Sequence, residues 1–526
     1  MNKTLYILLA LLVIVTSACS PVKYVADGEY LLDKVEIKSK SNVIPNSEAQ
    51  QYIRQHPNLK IFGLFKTNLR LYSLSGKDTT KRINRLLRKI GEKPVIYNPI
   101  LTAQSVNELQ KFYKSKGYQK VNVQSYVQLK DKRANITYNI EENEPYRVRK
   151  IRRDYRGDTT IQNIIGRDKY FTTKLDSNML FDNYVLDEER ENIAALLRRR
   201  GYFYFSKDYL SYFADTTIGD NQVDLVMLLK PFSKIDSEGN KVDMPHQQYK
   251  ISDINITTLH APAVSWEEVQ TYDSIQSQSG AIIHFKDRPL LRPSVLEDNL
   301  MFNKDELYNS FRIDLTQTRL NSLGAIRSAY VAYNDLRNDS NQVICNITLT
   351  PRKMKSVSAD VELTTTSGDF GFGANLGWSH RNIFHGGEWL NLNFHGNFQF
   401  KVSDNIRANE YGISGLISFP RFLGIPLSQH KGANIPRTEV NASFNHQSRP
   451  EYTRSVIASS YGYTGKVGRK MSYQAFPIKL NLVKLLAMSD DFRQTLEKNP
   501  FMRDAYRTHL DAGVSGMLYY STSPEL

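Results

Sequence analysis

The stretch Asp369-Phe370-Gly371-Phe372-Gly373-Ala374-Asn375-Leu376-Gly377-Trp378 alternates residue by residue. Successive side chains of a strand point to opposite faces. Phe370, Phe372, Ala374, Leu376 and Trp378 therefore share one side, and Gly371, Gly373, Asn375 and Gly377 the other. The next segment sets Leu390, Leu392, Phe394, Phe398 and Phe400 against Asn391, Asn393, His395, Asn397 and Gln399. A third sets Tyr411, Ile413, Ile417 and Phe419 against Gly412, Ser414, Leu416 and Ser418. Two architectures produce such segments. A soluble antiparallel sandwich hides the apolar face in its core. A transmembrane barrel turns that face to lipid and the polar face to a wet lumen, with aromatics near the segment ends. Here the polar face is Gly, Asn, Ser and Gln with few charges, unlike the wetted side of a soluble sheet. Aromatics (Phe370, Trp378, Phe400, Tyr411, Phe419) sit at segment ends. The pattern predicts an antiparallel transmembrane β-barrel, with Phe370, Phe372, Leu376, Trp378, Leu390, Leu392, Phe394, Tyr411, Ile413 and Phe419 facing lipid.

After Lys355 eight strand candidates follow, near 357–366, 369–379, 387–400, 409–419, 437–447, 454–464, 470–483 and 508–520. Between the last two, Leu485 to His509 is longer, more charged and helix-compatible, and reads as an insertion at the rim.

The 526 residues leave room for several domains. A net charge of +15, from 69 Lys+Arg against 54 Asp+Glu, suits work beside anionic lipid as well as nucleic acid. No arm or helix face concentrates these cations among aromatics, so nucleic acid is not an expected partner. Tyr (31) and Gly (28) are abundant, which fits strands and lipid interfaces better than a helical enzyme.

Lys3 and the apolar run Leu5 to Val15 form a signal too short to span a bilayer comfortably. Thr16-Ser17-Ala18-Cys19 then resembles the lipobox of bacterial lipoproteins, with Thr16 where Leu is usual. The expectation is a signal peptide over 1–18, lipid attachment at Cys19 and a tether over 19–27. An ordinary signal peptide cut near Ala18 is the alternative. Several acyl chains make a stable anchor, each buried methylene adding about 0.8 kcal/mol. Ser20-Pro21-Val22-Lys23 carries no acidic run, which leaves the soluble part in the periplasm. The other cysteine, Cys345, alternates with Val343, Ile347 and Leu349 and reads as a small core residue.

Between tether and barrel a helix that ends in Gly and runs into a strand occurs three times. The copies are Val106 to Lys116 before Gly117-Tyr118, Glu188 to Arg200 before Gly201-Tyr202, and Thr316 to Leu323 before Gly324-Ala325. Leu109, Phe112 and Tyr113 correspond to Ile193, Leu196 and Leu197, and the third copy keeps only Leu320. Two strands follow each Gly: Tyr118 to Leu129 and Asn135 to Ile140, Tyr202 to Phe213 and Val223 to Lys230, Ala329 to Leu336 and Val343 to Leu349. One strand precedes each helix: Leu31 to Lys38, Tyr146 to Arg152, and Tyr249 to Ile256. Ser47 with Gln50 suggests a capping box opening an earlier helix. The unit is strand–helix–helix–strand–strand. Its copies span 28–143 (with an insertion), 144–231 and 248–352, with a linker over 232–247 and the barrel from 353 to 526.

This order of parts resembles POTRA domains leading into the barrel of the BamA/TamA outer-membrane assembly family, closest to its lipoprotein branch, TamL. The residues carrying the resemblance are Pro57-Asn58, Ile61-Phe62-Gly63, Leu69-Arg70-Leu71-Tyr72 and Ile90-Gly91-Glu92-Lys93-Pro94-Val95-Ile96-Tyr97. On the barrel side they are Gly377-Trp378-Ser379-His380-Arg381-Asn382-Ile383-Phe384-His385-Gly386-Gly387 and Ser418-Phe419-Pro420. The resemblance implies an α+β string of POTRA-like repeats in the periplasm and a barrel in the outer membrane. Its implied partners are outer-membrane lipid, unfolded outer-membrane polypeptides and a TamB-like periplasm-spanning protein. Clients would add as extra strands to exposed sheet edges. The strands nearest the barrel, with Ile254 and Ile256 in one and Tyr330 and Tyr333 in the other, are the expected edges. Family barrels have about twice as many strands and an Arg-Gly-aromatic loop that would lie beyond residue 526. Either eight strands close alone or the sequence is truncated in the barrel, and we read it as truncated. A secretion pore of the same superfamily, favoured by two soluble units rather than three, is one alternative. A lipid-anchored structural or adhesive β protein is another.

No convergent acids, bases or metal ligands mark an enzyme, and no cofactor is expected. His380, His385 and His395 are the nearest approach to a metal set and read as polar-face or rim residues. Asp187-Glu188-Glu189 and Arg198-Arg199-Arg200 offset the dipole at opposite ends of one helix.

Overall fold

The computed structural model describes residues 22, 24–41, 43–60, 66–75, 78, 80–235, 239–259, 266–269, 271–335, 341–366, 369–401, 407–424, 432–468, 470–499 and 506–522. The signal 1–18, Cys19, Ile61-Phe62-Gly63 and Gly368 lie outside the described residues. Contacts divide the chain into two bodies, Met1–Leu196 with Ser206–Pro245 and Leu197–Phe205 with His246–Leu526.

In the first body, module one contains β1 (Leu31–Ser39), α1 (Asn46–Ala49) with a 3-10 turn at Gln50–Tyr52, α2 (Thr67–Leu74) and α3 (Arg82–Ile90). It continues with α4 (Pro99–Ser115), β2 (Asn122–Lys130) and β3 (Arg133–Glu141). The sheet order is β1-β3-β2, with β1 parallel and β2 antiparallel to β3. Asn98 caps α4 by accepting from the Ile100 N–H, and Pro99 fills its first turn. Leu109, Phe112 and Tyr113 on α4 are buried against Leu32, Ile136 and Tyr138 of the sheet. The capping box expected at Ser47 is not formed. Ser47 lies inside α1, and Pro45 at the N-cap has no side chain to offer.

Module two has β4 (Arg147–Asp154), α5 (Thr159–Arg167), α6 (Asn183–Arg199), β5 (Leu210–Asp215) and β6 (Gln222–Leu229), with sheet order β4-β6-β5. Val148, Leu175, Leu186, Val223 and Leu225 form its core. The strand expected from Tyr202 begins only at Leu210. Tyr202 and Phe205, which belong to the second body, are buried in turns closed by Tyr202 N–H to Leu197 O and Phe205 N–H to Tyr202 O, so this aromatic run is not a strand. The expected linker holds a hairpin, β7 (Phe232–Ile235) with β8 (Lys241–Met244). Gly117 and Gly201 take φ of +96° and +103° at their helix ends, the left-handed cap that a side chain resists. Gly324 is not left-handed, in keeping with its divergent repeat.

In the second body, module three contains β9 (Lys250–Thr258), α7 (Trp266–Val269), β10 (Asp273–Gln276) and β11 (Ala281–Phe285). It is completed by α8 (Pro293–Glu297), α9 (Ser310–Ser322), β12 (Ile326–Asp335) and β13 (Gln342–Pro351). Its five-stranded sheet runs β10-β11-β9-β13-β12. Cys345 is buried in the core beside Ile254, Ile347 and Leu320, and burial pushes its thiol up to about 12. It is expected to resist alkylation in the native chain and to react once the chain is unfolded, as read by the mass of its peptide.

The chain then enters β14 (Lys355–Thr366), β15 (Asp369–His380), β16 (Trp389–Lys401), β17 (Arg407–Phe419) and β18 (Arg437–Ser448). Next come β19 (Tyr452–Val467), β20 (Met471–Met488), α10 (Asp490–Glu497) and β21 (His509–Tyr520). All eight expected strands form one antiparallel sheet in sequence order. Among the described residues β14 and β21 do not pair with each other, and no helix is long and apolar enough to cross a membrane. Among the described residues the helix expected in 485–509 is α10, which starts late because β20 runs on to Met488.

Candidate membrane face and docking edge

Directly opposed residues of an antiparallel pair share a face. Following the register from β14 to β21, Ala359, Leu376, Phe394, Ile413, Phe444, Ile457, Leu482 and Leu510 form one unbroken apolar row. One residue along, on the opposite face, the row reads Ser358, Gly377, Asn393, Ser414, Ser443, Ala458, Asn481 and Asp511. The alternation seen in three segments thus holds across the sheet. The apolar row crosses β14 to β19 near their middles and meets β21 at its second residue. Strands of 12–13 residues extend about 40 Å, and a tilt of roughly 40° projects that onto about 30 Å, a hydrocarbon thickness.

All ten residues expected to face lipid lie on this apolar side. Phe370, Phe372, Leu376, Phe394, Tyr411 and Ile413 are exposed, while Trp378, Leu390, Leu392 and Phe419 are half-buried among neighbours. Phe370 stacks on Phe400 at the distal end, and Phe384 on Phe419 at the end nearer module three. Glu410 on the polar side accepts from Asn445 (2.7 Å) and Gln447 (3.1 Å), which satisfies its carboxylate there.

The motif following β15 turns out to be a socket for module three. Asn382 Nδ2 donates to Leu290 O (2.7 Å), and its Oδ1 accepts from Gly387 N–H (3.0 Å). The buried Glu388 accepts from Gly386 N–H (2.8 Å) and Arg292 Nη2 (3.1 Å). Arg319, buried on α9, donates to Asn299 Oδ1 (3.1 Å), Asp298 O (3.4 Å) and Gly432 O (2.7 Å). Met354 and Ile435 pack onto the core of the module. Arg292, Arg319 and Glu388 had no periodic signal in the sequence; only the quoted Gly386-Gly387 turn pointed here. His380, His385 and His395 do not converge, and no group of metal-ligating side chains occurs among the described residues.

The expected edge at Tyr249 to Ile256 is corrected. β9 lies between β11 and β13, and Ile254 and Ile256 are core residues. The opening strands β1 and β4 lie at sheet edges in modules one and two, but here the β10–β11 hairpin covers that side. β12 is an edge. Tyr330 is 65% exposed on it. Tyr333 turns inward to Phe203 (5.2 Å) and Tyr308 (5.9 Å), so the two tyrosines do not form one surface.

This is a fold of POTRA-like α+β modules leading into an eight-stranded antiparallel sheet with one continuous apolar face. Residues 30–143 match the POTRA family model, described as surface antigen variable number repeat. Similar solved structures include BamA POTRA3-5 of Haemophilus influenzae, 14% identical, covering 62% of this chain and 99% of that one with TM-score 0.30. BamA of Haemophilus ducreyi lacking POTRA domains 1-3 is 12% identical, covering 65% of this chain and 71% of that one with TM-score 0.32. CdiB of Acinetobacter baumannii is 11% identical, with coverages of 65% and 62% and TM-score 0.23. No curated protein matches the chain.

Proposed function

We propose that this chain is an outer-membrane assembly factor of the TamL type, lipid-anchored at Cys19. Its POTRA-like modules receive unfolded outer-membrane polypeptides in the periplasm, and its sheet, as part of a membrane-inserted barrel, helps insert them. A TamB-like periplasm-spanning protein is the proposed partner. The work is physical rather than covalent: a client adds as a strand, so its backbone bonds are met before it enters hydrocarbon. The unbroken apolar row from Ala359 to Leu510 carries the reading, and the matched repeat at 30–143 and the edge strand β12 support it.

The full chain in the outer membrane is expected to resist alkaline carbonate and to migrate faster on gels unheated than boiled. A photo-crosslinker replacing Tyr330 should capture unfolded outer-membrane polypeptide, while one replacing the exposed Tyr170 should not. Release into the soluble fraction by carbonate, with no heat-dependent band, would defeat the proposal.

A further inference from the structure

Helix α3 has the sequence Arg82-Ile83-Asn84-Arg85-Leu86-Leu87-Arg88-Lys89-Ile90, and none of its residues is buried. At about 100° per residue, Ile83, Leu86 and Ile90 fall within roughly 60° of one another. They are 72%, 56% and 58% exposed. Arg82, Lys89 and Arg85, all exposed, follow on one flank of this stripe, while Leu87, Asn84 and Arg88 are the half-buried side against the module. No acidic residue occurs from Thr79 to Gly91. A helix serving only the fold would turn its apolar stripe inward. This one turns it outward, beside a cationic flank.

The helix is firmly seated in that orientation. Gly91 allows the close approach to α2, since a Cβ there would lie 2.5 Å from Tyr72 N. Arg88 Nε donates to Ser75 Oγ (3.1 Å), and its guanidinium lies over the rings of Tyr24 (5.6 Å) and Tyr72 (5.7 Å). The Tyr24 hydroxyl donates to Ser75 O. Tyr24 comes five residues after Cys19, at most about 18 Å of extended chain. The outward stripe is thus clipped to the segment that leads to the proposed lipid anchor.

We infer that α3 docks on an anionic phospholipid surface, with Ile83, Leu86 and Ile90 in the acyl boundary and Arg82, Arg85 and Lys89 among the phosphates. A short helix with a basic rim and an aliphatic stripe has the chemistry of an interfacial segment. The anchor supplies proximity, and the helix lays module one against the bilayer. The inference rests on the proposed anchoring at Cys19, and its test separates the two.

The full chain carrying Leu86→Cys is labelled with an environment-sensitive fluorophore; Cys345 is buried and an acylated Cys19 is blocked. It is reconstituted in vesicles of phosphatidylcholine with phosphatidylglycerol, or of phosphatidylcholine alone. The same label at Gln162→Cys, an exposed position of α5, is the control. In anionic vesicles the label at 86 is expected to shift to the blue and escape aqueous iodide, while the control stays water-like. Each of Arg82→Gln, Arg85→Gln and Lys89→Gln should weaken local docking about fivefold, and salt should weaken it further. Water-like emission at 86 in a chain that co-floats with anionic vesicles would overturn the inference. So would a blue shift that follows protein concentration and not lipid, which places a second copy on the stripe. Equal shifts in both vesicle types would overturn the anionic assignment. Mass spectrometry of the Cys19 peptide reads the anchor independently: with an unacylated Cys19, itself open to the label, the shift at 86 is read with Cys19→Ser added, and a lipid-dependent shift there sinks the anchor and keeps the helix.

Discussion

Phe394→Arg is expected to destabilise the sheet, in its proposed membrane setting, by about 2–4 kcal/mol, the cost of a cation near the bilayer midplane on a barrel's lipid face. Phe394 is the third of eight residues in the apolar row and lies near the middle of β16, opposite Leu376 and Ile413. Ser443→Arg places the same charge on the other face, in a hollow lined by Asn441, Asn481 and Asp511. It is expected to change stability by about 0.5 kcal/mol or less, as on an ordinary wet surface. Urea titration of the heat-modifiable band in lipid vesicles measures both. Equal costs at the two sites would mean the faces share one environment, and the membrane account would fall.

Arg319→Met is expected to cost about 2–4 kcal/mol. Burial pushes this guanidinium below its ordinary value, though far from neutrality at physiological pH. Its donors meet Asn299, Asp298 and Gly432, and methionine fills the volume while leaving those acceptors without their donor. Because Gly432 belongs to the segment entering β18, the loss should appear both as faster amide exchange in α9 and as earlier proteolysis near residue 432. Arg327→Met, exposed on β12, is the matched control and should leave both unchanged. Exchange in α9 unaltered by Arg319→Met would show that the socket does not depend on this side chain.

What could be read from the chain followed burial and period. Strands with one apolar face announce themselves, so every strand of the large sheet was legible, as were the helices that bury Leu109, Phe112, Ile193 and Leu320. Short and polar elements were not. β10 is four exposed residues, Asp-Ser-Ile-Gln, with nothing periodic to betray that its hairpin covers β9. The run from Tyr202 to Phe205 misled for the opposite reason, since aromatics buried in turns look like a strand. The choice of edge failed because edge position belongs to strand order, which no side chain in Ile254 or Ile256 encodes. Tyr330 and Tyr333, three apart on a strand, could have been assigned opposite faces from parity alone. The socket around Glu388 joins residues almost a hundred positions apart, beyond the reach of local pattern.

The edge strand β12 pairs along its length with β13, and β13 ends only four residues before β14, the first strand of the large sheet. A polypeptide hauling on Tyr330 would thus load a lever whose far arm is β14, with the Glu388 and Arg319 contacts as its fulcrum. On the proposed placement, tension on β12 would pass through its ladder with β13 and the short connection at 352–354 into the large sheet, rather than being dissipated in a slack tether.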